Sequence, residues 1–376
     1  MKHETSIVRQ LHRERTFTPP YCPRSVCKNH LPEKARPGFF ALHAKNSILR
    51  FPYVSVRFRC RDCGKTFSAS FFQLHYQQKI WGLDEKVLFC HDHGISKRAT
   101  ARFVGHDERF VRRRLIRLAK WGLLRHVKLT EDLKIQEPIV YDGLENFSFS
   151  QYEPNNINHA VGKNSLFTYD FNFCPLNRKG MMTNFQANRK AQLEEEHGAF
   201  PRDAIRTATI RIFARLLSKT GELTIFSDRH FQYRRVVEID LKNAKIEHIK
   251  ISSKVHRNFK NPLFAVNNID LQARHNLAAF KRETIAFSKN SIAMQESFLL
   301  YMLHRNYRRP KFWGTHRSDP LSSKKSPAME VGITDSILSF KDFYAERVLP
   351  TQVELHEDWK NLLARVDPLS RQKIAS

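Results

Sequence analysis

The spacing of apolar residues predicts three short helices in the first third of the chain. Gly94 and Gly105 interrupt an otherwise helical pattern and separate the three segments. The expected N-caps are Asp84, Ser96 and Asp107, and the third helix is expected to end at about Leu124. Short helices joined by tight turns are typical of a helix-turn-helix.

After about residue 135 the pattern changes to strands that alternate with helices. Strands are predicted in IQEPIVYDGLENFSFS, NSLFTYDFNFCPL, GELTIFSDRH and IEHIKISSK, and we expect the first two to pair. Helices are predicted over residues 203–218 and, as one long element, over IDLQARHNLAAFKRETIAFSKNSIAMQESFLLYMLHRNY. This order favours a mixed sheet flanked by helices.

The net charge of the chain indicates the class of partner that it binds. The 376 residues carry a formal charge of +27, and residues 1–130 hold 27 basic against 9 acidic side chains. A balance of this kind says nothing about the fold, but it favours a polyanionic partner. No stretch reaches the roughly 18 apolar residues of a membrane span, and the opening residues lack the apolar centre of a signal peptide. We therefore expect a cytoplasmic protein with reduced thiols.

Four of the six cysteines form two pairs with the spacing of metal ligands. Cys22 and Cys27 lie in YCPRSVC, and Cys60 and Cys63 lie in RFRCRDCGKTF. Two such turns can supply a tetrahedral sulfur site for zinc, and His30 is an alternative ligand. Four buried cysteines without a metal are the other interpretation. Each of the remaining two, Cys90 and Cys174, is expected to be an ordinary buried thiol.

The third predicted helix is strongly basic beside its apolar positions. Its basic residues are Arg109, Arg112, Arg113, Arg114, Arg117 and Lys120. In a helix-turn-helix such a helix lies in the DNA major groove, where arginines contact phosphates or guanine edges. A basic helix packed in a bundle is the alternative.

Two acids at predicted strand positions, Asp142 and Asp228, suit a two-metal phosphoryl-transfer site. Magnesium takes oxygen ligands, and two ions roughly 4 Å apart can act on the attacking and leaving oxygens. A helix is expected to provide the third acid. Asp270, at the start of the long predicted helix, is the first choice, and Glu283, further along that helix, is the second. Any one of these acids alone is more often a cap or a surface residue.

Together these segments resemble bacterial insertion-sequence transposases of the DDE/DDD type, with an N-terminal zinc ribbon and a helix-turn-helix. The resemblance covers about residues 20–310 and is most specific in RFRCRDCGKTFS and KRETIAFSK, where Thr284, Phe287 and Ser288 match the family. It implies a ribonuclease-H-like core with Asp142 and Asp228 as the first and second acids. The family usually has Glu as third acid in an Asn-x-x-Glu context, whereas this chain has Asp270 after Asn267.

The resemblance also implies a reaction and its cofactors. Water, activated by Mg²⁺ or Mn²⁺, attacks a phosphodiester at the element end, and the released 3′-hydroxyl attacks target DNA without a covalent enzyme–DNA intermediate. Three basic residues expected on the helix of the third acid, Lys281, Arg282 and Lys289, would hold the DNA backbone. A solvated helix face is the alternative for these residues. Arg305, Arg308 and Arg309 either hold DNA or end a helix.

The expected architecture is therefore α+β and multidomain. The predicted divisions are a zinc ribbon at 1–75, a helix-turn-helix at 76–130, a ribonuclease-H-like catalytic domain at 131–310, and a linker with a C-terminal helical tail at 311–376. The expected partner is double-stranded DNA, both terminal inverted repeats and target, bound by a homodimer or larger oligomer in the bacterial nucleoid. A non-catalytic DNA-binding regulator and an inactive transposase relic are the rival interpretations.

Overall fold

The computed structural model describes residues 17–47, 54–281, 286–312 and 324–367. It divides into two compact units: the first holds residues up to Gly82 together with Lys341–Glu354, and the second holds Leu83–Phe340 and the residues from Leu355 onward. Helices and strands both occur throughout, so the chain is a mixed α/β protein, as predicted. None of the helices in the described ranges has the length and apolar character needed to cross a membrane.

The first unit is a three-stranded antiparallel sheet around a small aromatic core. Its strands are β1 (Phe40–Ser47), β2 (Val54–Cys60) and β3 (Thr66–Ser68), in that spatial order. The buried aromatic residues are Tyr21, Phe39, Phe58, Phe67 and Phe72. Single turns of 3-10 helix lie at Pro32–Lys34, Ala69–Phe72 and Pro350–Gln352.

The segment Lys341–Glu354 is tied into this small unit by hydrogen bonds. The Tyr21 hydroxyl donates to the Arg347 carbonyl at 2.5 Å, and the Gln352 amide donates to the His30 carbonyl at 2.7 Å. Since a unit of this size buries little apolar surface, these long-range bonds contribute to its stability.

The second unit begins with the three predicted helices, α1 (Asp84–Asp92), α2 (Lys97–Val104) and α3 (Glu108–Leu129). Ser96 and Asp107 are the N-caps, accepting hydrogen bonds from the backbone of Ala99 and Phe110 at 3.2 and 2.6 Å. The cap expected at Asp84 is wrong, because Asp84 lies inside α1. The third helix also continues past Leu124, because the residues that follow still bury side chains in the core.

A five-stranded mixed sheet forms the centre of the second unit. Its strands are β4 (Ile139–Phe147), β5 (Pro154–Gly162), β6 (Thr168–Pro175), β7 (Glu222–Asp228) and β8 (Lys245–Ile251). Their spatial order is β6-β5-β4-β7-β8. The first three form an antiparallel meander, and β7 and β8 run parallel to β4.

The strand β5 was not among the predicted strands. Its residues PNNINHAVG have few branched or aromatic side chains, so the usual strand pattern is absent, although nearly all of them are buried. Three asparagines make the burial possible: Asn156 donates to Asn158 at 3.0 Å, and Asn158 donates to Asn172 on β6 at 3.0 Å. The expected direct pairing of β4 with β6 is therefore wrong, because β5 lies between them.

Helices flank the sheet and complete the second unit. They are α4 (Asn184–His197), α5 (Ala204–Thr220), α6 (Phe231–Arg235, continuing as a π turn at Val236–Asp240), α7 (Phe264–Asn276), α8 (Ser291–Tyr307), α9 (Pro327–Glu330) and α11 (Glu357–Ala364). The short helix α10 (Phe340–Phe343) lies at the division between the two units. On α5, Arg215 contacts Asp170 of β6 at 2.6 Å and Asp358 of α11 at 2.9 Å, which attaches the last helix to the sheet.

The single long helix predicted around Asp270 is wrong. The helix α7 ends at Asn276, and Leu277 takes an extended conformation before a 3-10 turn at Ala278–Phe280. Leu277 and Phe280 are both buried, so the chain stays packed against the core after the helix ends. Asp270 lies in the middle of α7 rather than at its start.

Candidate functional site

The four paired cysteines converge in the first unit. The sulfur atoms of Cys22 and Cys63 lie 3.5 Å apart, and those of Cys27 and Cys60 lie 3.8 Å apart. Four thiolates around a zinc at about 2.3 Å would be roughly 3.8 Å from one another. Within the described ranges, these four cysteines form the one group of side chains suited to metal binding in which all ligand atoms lie within 4.8 Å of one another. The predicted cysteine cluster is therefore confirmed, and its geometry fits zinc.

Local structure explains why the cysteines meet. Gly64, with φ of 70°, takes the left-handed conformation that closes the turn after Cys63. Burial raises the pKa of the Cys22 and Cys27 thiols, so a cation would be needed to hold them as thiolates. His30 is not part of the cluster, because its Nδ1 faces the Cys22 carbonyl at 3.0 Å and its Nε2 faces the Thr351 hydroxyl at 2.8 Å.

The second unit brings together Asp142 and Asp228 on neighbouring parallel strands. Ile139 pairs with Ile225 and Val140 with Phe226, so each aspartate lies two residues beyond the same paired position. Side chains two residues apart share a face of the sheet, and neighbouring strands are about 4.8 Å apart. The backbone N–H of Gly143 donates to Asp142 at 2.7 Å, and that of His230 donates to Asp228 at 2.9 Å.

Asp270 reaches the same region from helix α7. Its Oδ1 lies 3.2 Å from Nε2 of His159, a fully buried residue on β5 that pairs directly with Asp142 across the strands. The other ring nitrogen, Nδ1, lies 3.2 Å from the Ile157 carbonyl. Burial lowers the pKa of His159, but the charge and hydrogen bonding of Asp270 outweigh it, and the pKa is raised.

The negative charges of Asp270 and Asp228 act on Asp142, although the oxygens of the three acids do not all lie within 4.8 Å of one another. Burial, and after it these two charges, raise the pKa of Asp142 to about 7, against the lowering effects of the Gly143 N–H and of His159. A cation bound among the carboxylates would offset the repulsion between their charges. The Oδ1 atom of Asp270 is also buried, and its 3.2 Å contact with His159 falls short of a well-aligned hydrogen bond. A set of oxygen donors with these properties suits Mg²⁺ or Mn²⁺.

The helix that carries Asp270 is held in place by a buried arginine. Arg305 on α8 donates to Gln272 at 3.0 Å and to Asn268 at 3.2 Å, and these two residues are one turn apart on α7. Arg305 and Arg309 are buried, so they are part of the packing rather than of an exposed cluster. Glu283, the alternative third acid, lies outside the described residues, as do Arg282 and Thr284.

The basic residues of α3 separate into exposed and buried sets. Arg109, Arg112 and Arg113 are exposed, and Arg117 and Lys120 are half-buried. Arg114 is different: it is buried, its guanidinium lies 3.3 Å from Asp84, and it packs 4.6 Å over the Phe110 ring. The structure therefore removes Arg114 from the set that could face DNA, because its charge is used inside the helical packing.

The two predicted DNA contacts near the third acid that the structure describes are both exposed. Lys281 follows the 3-10 turn after α7, and Lys289 precedes α8, with its Nζ 3.0 Å from the centre of the Phe287 ring. Neither lies on the helix of Asp270, contrary to the sequence-based expectation, because that helix ends at Asn276.

One residue of the site was missed in the sequence. His159 lies in the asparagine-rich segment that was not predicted as a strand, so no argument connected it with Asp142. The available signal was weak, since only Ile157 and the pair Ala160 and Val161 are apolar, and an interior strand can hold asparagines when they bond to one another. Compared with known proteins, the chain matches no family model, and no curated protein shows a significant match.

Proposed function

We propose that this chain is a DNA transposase of the DDE/DDD type that cleaves and joins DNA strands with the help of divalent metal ions. The observation that carries the proposal is the matched position of Asp142 and Asp228 on the neighbouring parallel strands β4 and β7, with Asp270 beside them on helix α7, where it contacts His159. These acids come from two strands and a helix far apart in sequence. Burial of Asp142, the charges of two further acids acting on it and a buried histidine partner are features common at functional sites.

The topology of the sheet supports this proposal. An antiparallel meander of β4, β5 and β6, followed by β7 and β8 parallel to β4, agrees with a ribonuclease-H-like core. The order of the strands reverses between β4 and β7. In open α/β sheets, ligands bind at the point where the strand order reverses. Asp142 and Asp228 lie on these two strands.

In this proposal the three aspartates hold Mg²⁺ or Mn²⁺ against a phosphodiester. The bound ions would activate the attacking oxygen and stabilise the leaving oxygen. Asp142 and Asp228 are fixed by backbone N–H groups, so their carboxylates need little reorganisation to bind metal. His159 is a positioning residue, since it contacts Asp270 from the side of the core.

The helices α1–α3 and the cysteine unit would bind the DNA ends. The exposed residues Arg109, Arg112 and Arg113 lie in the first turns of α3, the part of a recognition helix that contacts base edges. A net charge of +27 supports a large phosphate-binding surface. Joining two ends requires two protomers on the DNA, so we also propose a dimer or larger oligomer.

A strand-cleavage assay tests the proposal. Duplex DNA carrying the sequences that flank the coding gene is incubated with the zinc-loaded chain and Mg²⁺, and nicked products are separated on a denaturing gel. We expect cutting by the natural chain and a loss of about 100-fold or more in Asp142→Asn and Asp228→Asn, with DNA binding retained. Exposed Glu145 on β4 provides a matched control, and Glu145→Gln should cut normally.

Two results would contradict the proposal. If the natural chain binds this DNA but does not nick it with Mg²⁺ or Mn²⁺, the chain is a non-catalytic DNA-binding protein or an inactive relic. If Asp142→Asn cuts as well as the natural chain, the carboxylates do not form the reaction site.

A further inference from the structure

A cavity of about 410 Å³ lies beside the acidic site in the second unit. It is lined by Arg229, Phe231, Arg234 and Lys250. None of these residues belongs to the set of DNA contacts expected from the sequence. Three cations and one aromatic ring are an unusual lining for one cavity. Positive charges placed close together repel one another and do not stabilise the fold by themselves.

The cavity is placed at the carboxyl ends of the two parallel strands next to the acids. Arg229 directly follows Asp228, the last residue of β7. Lys250 lies on the edge strand β8, where it pairs with Ser227. Phe231 and Arg234 are three residues apart on the short helix α6, so both side chains lie on one side of that helix.

The aromatic ring is presented to solvent in a fixed orientation. Phe231 is 53% exposed, although an apolar ring of this size is more often covered. It stacks on the His230 ring with a centroid separation of 5.2 Å and an interplanar angle of 26°. The His230 backbone N–H is in turn held by the Asp228 carboxylate at 2.9 Å. One face of a flat and supported ring is thus available for stacking.

Two of the three cations of the cavity contact a single carboxylate. Glu238 contacts Arg234 at 3.5 Å and Lys250 at 3.4 Å. Its side chain is 54% exposed, and exposed ion pairs contribute little to stability. An incoming phosphate can therefore replace Glu238 as the partner of both cations at small cost.

We propose that this cavity binds an unpaired stretch of DNA next to the scissile phosphate, with a base stacked on Phe231 and its phosphates on Arg229, Arg234 and Lys250. The inference rests on the proposed function, since it assigns DNA as the ligand. Binding sites for single strands combine a cationic groove with aromatic platforms, which is the combination found here. Double-stranded DNA has no free base face to offer, so it does not explain an exposed Phe231.

Binding measurements without added divalent metal test this inference separately from catalysis. The probes are a fluorescein-labelled oligothymidylate and a blunt-ended duplex of two strands, titrated with the zinc-loaded chain while anisotropy is recorded. Phe231→Ala should weaken oligothymidylate binding about tenfold and duplex binding less than about twofold. Phe231→Trp should retain it, and Glu238→Gln should tighten it. Phe259, 75% exposed and outside the cavity lining, provides the control Phe259→Ala, which should change neither probe.

The outcomes distinguish this inference from the proposed function. If Phe231→Ala weakens both probes equally, or no more than Phe259→Ala does, the cavity does not hold an unpaired base and the inference is overturned. If the alanine variant fails to fold, Phe231→Trp still tests the inference. A folded tryptophan variant that no longer binds the oligothymidylate would also contradict the inference. Failure of the strand-cleavage assay, with these binding differences intact, would overturn only the catalytic proposal.

Discussion

The Nε2 atom of His159 lies 3.2 Å from Oδ1 of Asp270, and this contact joins the interior strand β5 to helix α7. His159 is fully buried and pairs across the sheet with Asp142. His159 therefore contacts Asp270 and lies opposite Asp142 on the neighbouring strand, in the buried part of the site. Partners of this kind orient metal ligands and restrict their movement.

Replacing His159 should therefore weaken metal binding more than it changes the fold. We expect His159→Leu to lower the affinity for Mn²⁺ about 10- to 100-fold, because Asp270 loses the group that orients it. His159→Gln, with an amide able to donate to Asp270, should recover part of the loss. Isothermal titration of the zinc-loaded chain with Mn²⁺ gives the affinities, and circular dichroism checks the fold.

The control for this prediction is His197→Gln, a change at a half-buried residue at the end of α4. It should bind Mn²⁺ like the natural chain. Equal affinities for the natural chain and a folded His159→Leu variant would show that His159 has only a packing role.

The cysteine cluster predicts one zinc per chain. Because the first unit has a small core, removing a ligand should unfold that unit while the second unit remains folded. Native mass spectrometry of Cys60→Ser should show loss of the zinc, and limited proteolysis should cut within residues 17–82 but spare the larger unit. Cys90→Ser, a change at a buried thiol outside the cluster, should keep the metal. A zinc content unaffected by Cys60→Ser would rule out this site.

Neighbouring arginines on α3 should behave in opposite ways. Arg114 pairs with Asp84 inside the packing, so Arg114→Ala removes one partner of a buried carboxylate and should cost about 3 kcal/mol. Exposed Arg113→Ala should change stability by less than about 0.5 kcal/mol but weaken DNA binding and its salt dependence. Urea denaturation and binding titrations at several salt concentrations measure the two effects. Comparable stability losses in both variants would contradict the assignment.

Stability should decrease below neutral pH because of a buried histidine. Burial lowers the pKa of His126 to about 3, and its Nδ1 lies 2.8 Å from the Tyr307 hydroxyl. Since an unfolded histidine titrates near 6.5, its stabilising effect is complete above that pH and is lost progressively as the pH falls toward 3.

The corresponding measurement is the free energy of unfolding of the second unit at about pH 7 and pH 5. His126→Gln can still bond to Tyr307 but does not titrate, so the natural chain should lose about 2 kcal/mol more than this variant over that interval. Other buried histidines, such as His304, affect both proteins equally. Identical pH dependence in the two proteins would show that His126 is accessible to protons in the folded state.

The parts of the fold that follow from local patterns could be predicted. Ser96 and Asp107 cap their helices because a polar side chain before an apolar period is a local signal. Cys60 and Cys63 could be assigned because their spacing and the following Gly64 specify a turn. Asp142 and Asp228 could be placed on strands from alternation alone, although their pairing depends on the order of the sheet.

Features that depend on tertiary contacts could not be predicted. The strand β5 is stable because Asn156, Asn158 and Asn172 bond to one another, which single-residue preferences do not reveal. Gly143 on β4 allows this arrangement, since a Cβ there would lie 1.9 Å from the Asn156 side chain. The helix α7 ends at Asn276 and Leu277 is extended and buried, although the helical preference of the segment favours continuation.

The most direct test of the acidic site is Mn²⁺ binding followed by electron paramagnetic resonance in the zinc-loaded chain. We predict two bound ions, with the spin coupling expected for a separation of roughly 4 Å, and loss of that coupling in Asp228→Asn. Glu145→Gln should give the spectrum of the natural chain. Absence of saturable Mn²⁺ binding, or an unchanged spectrum in Asp228→Asn, would contradict the account.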